Sequence, residues 1–152
     1  MRVLIVGCGR VGARLALALA EEGHQVTVVD SSRQAFDRLG ESFKGRMVLG
    51  NGTDQHVLEE AGAAQTDWFI SVTNGDNRNI MSAQVARAIF HIPRVMTRIY
   101  DPIRERVYRE MGLYTYCPTV VGAAIAKTFF EEGPEAADRA RAAVTVSGVA
   151  DG

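Results

Sequence analysis

Cysteine, lysine and tryptophan are scarce in this 152-residue chain: two, two and one. Cys8 and Cys117 lie far apart and form no metal-spaced pair, so free thiols are expected, and nothing requires a metal. Lys44 and Lys127 form no Tyr-x-x-x-Lys pair, and no serine stands in a G-x-S-x-G pattern. His24, His56 and His91 are scattered, so the sequence offers no visible catalytic chemistry. Charge of one sign is lacking too. Seventeen basic residues face eighteen acidic ones, leaving no field to draw the chain to nucleic acid or anionic lipid. No apolar run approaches the ~20 residues of a membrane span, which argues against direct membrane insertion. The first strand signal begins at residue 3, leaving no room for a signal peptide, and a cytoplasmic location is expected.

What the chain has is glycine where a turn needs it. Gly7-Cys8-Gly9-Arg10-Val11-Gly12 follows the apolar run 3–6 and leads into an Ala/Leu-rich stretch. Asp30 closes the run 26–29, eighteen residues after Gly12. In this G-x-G-x-x-G turn the first glycine permits the tight bend and the second opens the way for a pyrophosphate. The third lets helix and strand pack closely, and the acidic residue stands at the distance that holds a ribose. The unpaired N–H groups of the following helix offer an anion site. The pattern predicts an adenine-nucleotide site, a dinucleotide above all. Asp30 would repel a 2′-phosphate, favouring NAD(H) over NADP(H). Arg10 is either a solvated side chain or a phosphate clamp. Asp30, Ser31 and Ser32 are also suited to helix capping, which ribose binding does not exclude.

Strand and helix signals alternate throughout. Apolar runs at 3–6, 26–29, 46–49, 68–72, 95–99 and 114–117 are separated by helical stretches at 12–22, 33–41, 55–61, 77–90 and 102–111. Alternation predicts an α/β fold, and continuous apolar runs predict strands covered on both faces. A Rossmann-type, doubly wound parallel sheet of about six strands is therefore expected over residues 1–117. Gly50-Asn51-Gly52-Thr53-Asp54 follows the third strand as a turn, with Thr53 or Asp54 able to cap the next helix. In this fold the same loop would lie beside an adenine. Thr73-Asn74-Gly75-Asp76-Asn77 follows the fourth strand and either borders the crevice or caps its helix. Arg98 ends the fifth strand and should point along the same edge. Trp68 reads as core, and Arg104, Arg106 and Arg109 as a solvated helix face.

Residues 119–132 carry Val120, Val121, Ile125, Phe129 and Phe130 among several alanines, apolar nearly all round at helical spacing. Such a helix should be buried nearly all round. Its own sheet could cover one side, leaving a phenylalanine to find another partner, so residues 118–133 predict a crossover or dimerisation helix. Residues 134–152 read as a linker or tail, with no second lobe.

The series formed by the glycine turn, Asp30, the 50–54 and 73–79 loops, Arg98-Ile-Tyr-Asp-Pro102 and Cys117-Pro118-Thr119 resembles the N-terminal TrkA domain. That family is also called the RCK domain, regulator of potassium conductance. The resemblance covers residues 1 to about 132. It implies a cytosolic regulatory subunit, peripheral to the inner membrane through an integral-membrane potassium channel or transporter partner. It also implies NAD(H), or ATP/ADP, in the crevice, and a homodimer or ring of dimers joined through the crossover helix. Phosphates would lie on the 7–12 turn with Arg10 near the distal one. Asp30 would hold the ribose, Asn51 and Thr53 beside Gly52 would approach the adenine, and Thr73, Asn74 and Arg98 would line the crevice. Asn51 departs from the acidic residue common there, and the family's usual C-terminal lobe is not expected here. Two other readings stand beside this one: a small or truncated NAD-dependent oxidoreductase, and an assembly domain with a vestigial nucleotide site.

Overall fold

Six parallel strands form one sheet in the order β3-β2-β1-β4-β5-β6. The computed structural model describes residues 1–143. Its strands are β1 (Arg2–Val6), β2 (Gln25–Asp30), β3 (Arg46–Leu49), β4 (Trp68–Ser71), β5 (Arg94–Arg98) and β6 (Tyr114–Tyr116). Between them run α1 (Arg10–Glu21), α2 (Gln55–Glu60), α3 (Asp76–Ala88) and α4 (Pro102–Glu110). After β6 come α5 (Pro118–Glu132) and α6 (Pro134–Ala142). Strand order reverses at β1, which pairs with β2 on one side and β4 on the other. This is the doubly wound Rossmann arrangement, whose crevice opens at the carboxyl ends of the strands beside that switch point.

The apolar runs are continuous because alternate residues serve two cores. Leu4, Val6, Val29, Val48 and Phe69 pack on one face with Leu58, Ala83 and Ala86 of the helices. Val3, Ile5, Val26, Val28 and Ile70 pack on the other with Ala13 and Ala16 of α1. In the central strands, covered on both faces, a period of two leaves little room for polar side chains before the strand ends. Asp30, Ser71 and Arg98 stand at the carboxyl ends of β2, β4 and β5.

Three segments differ from the sequence reading. The stretch expected as a helix over 33–41 is a 3-10 helix, Arg33–Leu39, closed by Gly40 at φ 68°. The seven residues of this helix give little return on the cost of nucleating an α-helix. The linker expected from residue 134 begins instead as α6. Pro134 stands at its start, Glu135 in its first turn, and Arg139 and Arg141 in its last, each matching the helix dipole. Ala136 and Ala137 are buried, and α6 packs chiefly against α5. The rest of the expected tail, 144–152, lies outside the described residues. The third difference is α5, none of whose residues is buried. The sheet does not cover a side of it as expected, because α5 departs from the β6 edge and leans on α6. Phe129 is 57% exposed and Phe130 88%.

Candidate functional site

The turn from β1 into α1 is fixed by contacts that only glycine permits. Gly7 adopts φ 105°, and a β-carbon there would lie 2.9 Å from Thr73 N. A β-carbon on Gly12 would lie 1.8 Å from the Gly7 carbonyl oxygen. Gly9 differs, since a β-carbon there meets nothing within 4 Å. Two of the three glycines thus hold the turn closed, while the middle one faces open space.

Gly9 is also the N-cap of α1. It brings no side-chain acceptor, and no acidic residue stands in the first turn. By contrast, Asp54 caps α2 by accepting from His56 N–H, and Asp101 caps α4 by accepting from Ile103 and Arg104 N–H. The first-turn N–H groups of α1 keep their partial positive charge, and no side chain among the described residues closes them. The Gly7–Cys8–Gly9 backbone, Arg10 and Val11 line a crevice of about 910 Å³, within the usual range for a small-molecule site.

Asp30 and Ser31, at the end of β2, line the same crevice. The Asp30 carboxylate accepts from Cys8 N–H at 2.7 Å and from Ser32 N–H at 2.8 Å. It ties the glycine turn to the second strand and keeps further lone pairs for hydroxyl donors. Side-chain capping by Ser32, considered from the sequence, does not occur: Ser32 is the N-cap of the 3-10 helix without a side-chain hydrogen bond. Burial, reinforced by the Asp30 carboxylate, pushes the Cys8 thiol up to about 11. It is a protonated core group at neutral pH, packed with Ala13 and Val28.

The loop after β3 supplies Gly50, Asn51, Gly52 and Thr53 to the crevice. Asn51 Oδ1 accepts from Thr53 N–H at 3.1 Å and from Thr53 Oγ1 at 2.9 Å, so the two side chains act as one unit. Gly52 packs so close to Val6 that a β-carbon would meet Cγ1 at 2.2 Å. Of the two capping candidates, Asp54 performs that role and Thr53 does not.

The opposite wall rests on Asn79, which is fully buried. Its Oδ1 accepts from Thr73 N–H and Thr73 Oγ1, each at 2.7 Å. Its Nδ2 donates to the carbonyl oxygens of Thr73 at 2.9 Å and Arg98 at 3.0 Å. All four hydrogen-bonding capacities of the amide are used, which offsets its burial. Thr73 and Asn74 line the crevice and do not cap α3, whose N-cap is Gly75. Arg98 is buried; it donates to the carbonyl oxygens of Val72 at 2.6 Å and Thr73 at 2.7 Å. Its guanidinium lies 4.7 Å from the centre of the Tyr100 ring, and its Nε has no partner.

All fourteen site residues expected from the sequence stand at or beside this crevice, Gly12 acting through the turn rather than the lining. Four others went unnamed. Arg38, Arg78 and Tyr100 line the crevice, and Asn79 braces it. Arg38 projects from the 3-10 helix and Arg78 from the first turn of α3. An asparagine inside a helix one turn past a strand end is a signal that could have found Asn79. Among the described residues lining the crevice, four are arginines and Asp30 is the one carboxylate, a balance suited to phosphate.

The TrkA-N domain model matches residues 3–119. The chain is 50% identical over 115 residues to a Trk system potassium uptake protein TrkA from Streptomyces coelicolor, covering 76% of this chain and 52% of that protein. The chain spans about half the length of some curated relatives it matches and less than a quarter of others. Among solved structures, the Kef C-terminal domain of Shewanella denitrificans in its AMP-bound form superposes with TM-score 0.74 at 20% identity. That match covers 92% of this chain and 88% of the other. The GsuK channel bound to NAD superposes with TM-score 0.68 at 21% identity, covering 82% of this chain and 23% of that one. At these identities the two structures establish the fold.

The glycine geometry separates folding from binding. Gly12→Ala should cost about 1–3 kcal/mol in urea denaturation through the forced backbone shift, whereas Gly9→Ala should unfold within about 0.5 kcal/mol of the wild type. Gly9→Ala should nonetheless weaken AMP binding at least about tenfold by filling the space over the α1 N-terminus. Equal stability loss in both variants would contradict this division.

Proposed function

Because this chain belongs to the TrkA-N domain family, we propose that it is a nucleotide-sensing regulatory module of a potassium channel or transporter, not an enzyme. The observation that carries this reading is the α1 N-terminus left open above Gly9, beside an Asp30 already oriented by the turn. An adenine nucleotide fits that arrangement from end to end. The first-turn amides and Arg10 would receive phosphates, Asp30 the ribose hydroxyls, and the Asn51–Thr53 loop the adenine. NAD(H) and ATP or ADP share that adenosine-phosphate portion. The AMP and NAD named for the two superposed structures support the class of ligand, and the potassium uptake relative supports the setting.

Regulation rather than turnover is favoured by what surrounds the crevice. Asp30 is committed to two backbone amides, and Cys8 is a thiol of high pKa. Arg98 is held by backbone carbonyls. None of these is poised for proton transfer. Among the described residues no helix is long and apolar enough to cross a membrane; an integral-membrane potassium channel or transporter is the partner this reading calls for, as the potassium uptake relative supports. A cytoplasmic site, peripheral to the inner membrane, is the location that fits.

The exposed α5 extends the reading to assembly. Val120, Phe129 and Phe130 lie on a helix that its own sheet leaves uncovered. Fully burying each phenylalanine is worth roughly 1.5–3 kcal/mol, and a two-fold partner can receive both copies at once. Residues 118–133 would then cross onto a second copy of the chain, giving a homodimer or a ring of dimers.

Two measurements test these proposals. Calorimetric titration should show micromolar binding of adenine nucleotides, with NADPH weaker than NADH by about tenfold or more. Asp30 opposes the 2′-phosphate, and it is half-buried, whereas the field of exposed Arg38 is screened. Asp30→Asn should narrow that gap; equal affinities in the unmodified chain would contradict the ribose assignment. Sedimentation at micromolar concentration should give a dimer or larger species for the unmodified chain. Phe129→Ala with Phe130→Ala should release monomer, and a monomeric unmodified chain would contradict the proposed assembly.

A further inference from the structure

Helix α4 turns a carboxylate toward the core and apolar side chains toward solvent. Glu105 is buried; it accepts from Thr115 Oγ1 of β6 and pairs with Arg109 at 3.4 Å. Tyr108 packs against the core on the same side of the helix. These contacts fix the rotation of α4 about its own axis and commit the opposite side to solvent. There stand Ile103, Val107 and the capping Met111, 74%, 49% and 61% exposed. Spacing of four keeps them on one stripe along the helix.

The neighbouring helix widens this patch. Arg104 donates to Asn77 Oδ1 of α3, and Arg87 of α3 donates to the Gly112 carbonyl oxygen at 2.9 Å. The two helices therefore run side by side, tied at both ends. Met81, one turn beyond Asn77, is 53% exposed. Single apolar residues at a surface are ordinary, whereas four gathered on one pair of helices mark an interaction surface.

The pattern of the stripe selects its occupant. A second copy of α4, laid antiparallel about a two-fold axis at Val107, sets Val107 against its own counterpart. Ile103 then stands level with Met111 of the second copy, and Arg104 level with its Glu110. Glu110 is exposed, and Arg104 keeps donors beyond the one given to Asn77. A parallel pair would instead set arginine beside arginine and glutamate beside glutamate, which is repulsive. We infer that the α3–α4 face is a second self-association surface, occupied by the same face of another copy of this chain. It is separate from α5, and it does not involve the nucleotide crevice. Together with the proposed α5 pairing, on which only the final size of the assembly rests, it joins dimers to dimers. The patch is smaller than the roughly 20–30 residues a side of a standard interface. The contact is therefore weak between lone chains and gains strength where paired chains present it twice.

Sedimentation velocity of the full chain, from low to high micromolar concentration, tests this surface. Species larger than a dimer should appear as the concentration rises. Val107→Glu should raise the dissociation constant between dimers at least about tenfold while leaving the dimer itself. Ile103→Glu, at a more exposed position, should do the same, and an unchanged thermal midpoint verifies folding of each variant. Glu110→Arg should weaken the contact, and adding Arg104→Glu should restore it to within about threefold of the unmodified chain. A chain that stays dimeric at every concentration would overturn the inference while leaving the α5 pairing intact. Larger species that persist unchanged in both glutamate variants would overturn it in the same way. A monomer at every concentration would overturn both associations.

Discussion

Three strand ends are held together by backbone packed closer than side chains allow. The Gly12 position stands against the Gly7 carbonyl oxygen, and Gly7 in turn against the backbone of Val72 and Thr73. Asp30 adds the third strand through its bond to Cys8 N–H. Because these contacts are steric as well as hydrogen-bonded, the turn cannot relax without moving β1, β2 and β4 together. That rigidity holds the α1 amides at one place and angle. An anion site made of backbone dipoles works only if those dipoles are fixed before the ligand arrives.

The second wall obtains the same rigidity by polar means. Asn79 spends every hydrogen-bonding capacity it has on Thr73 and Arg98. Ser71 of β4 donates to the Asn79 carbonyl and shares a hydroxyl–hydroxyl hydrogen bond with Thr97 of β5. A buried network of this kind is favourable only when complete, and Arg98 Nε is a buried donor of that wall left without a partner. From there the connection runs outward. The Tyr100 carbonyl accepts from Thr119 Oγ1 at 2.8 Å and from Cys117 Sγ at 3.2 Å, at the start of α5. The helix proposed to cross onto a second subunit is thus anchored on a residue that lines the nucleotide crevice.

Much of this could be read from the chain. Glycines at 7, 9 and 12 and the acidic residue at 30 are legible because each answers a local steric or charge requirement. The central strands are legible because burial on both faces writes them as largely apolar runs, and the more exposed edge strands β3 and β6 through the alternation of strand and helix signals. The residues that escaped are those whose meaning depends on elements crossing in space. Arg38 and Arg78 look like ordinary helix-surface arginines until the sheet order brings their helices to one crevice. Asn79 looks like a poor helix residue until Thr73 and Arg98 surround it. The alanines and arginines of the 134–142 segment suggest a linker or tail, and its helical form shows only in charges that sit where a short helix needs them. On α5 the apolar count was right, but the surface that would cover it is not this sheet.

A phosphate site prebuilt at the α1 N-terminus should declare itself in amide NMR of the labelled chain during titration with ADP. The largest shift changes should fall on the amides of Gly9, Arg10, Val11 and Gly12, with smaller ones at Ser31 and Thr73. Stationary amides across that turn, with ADP bound elsewhere or not at all, would rule such a site out.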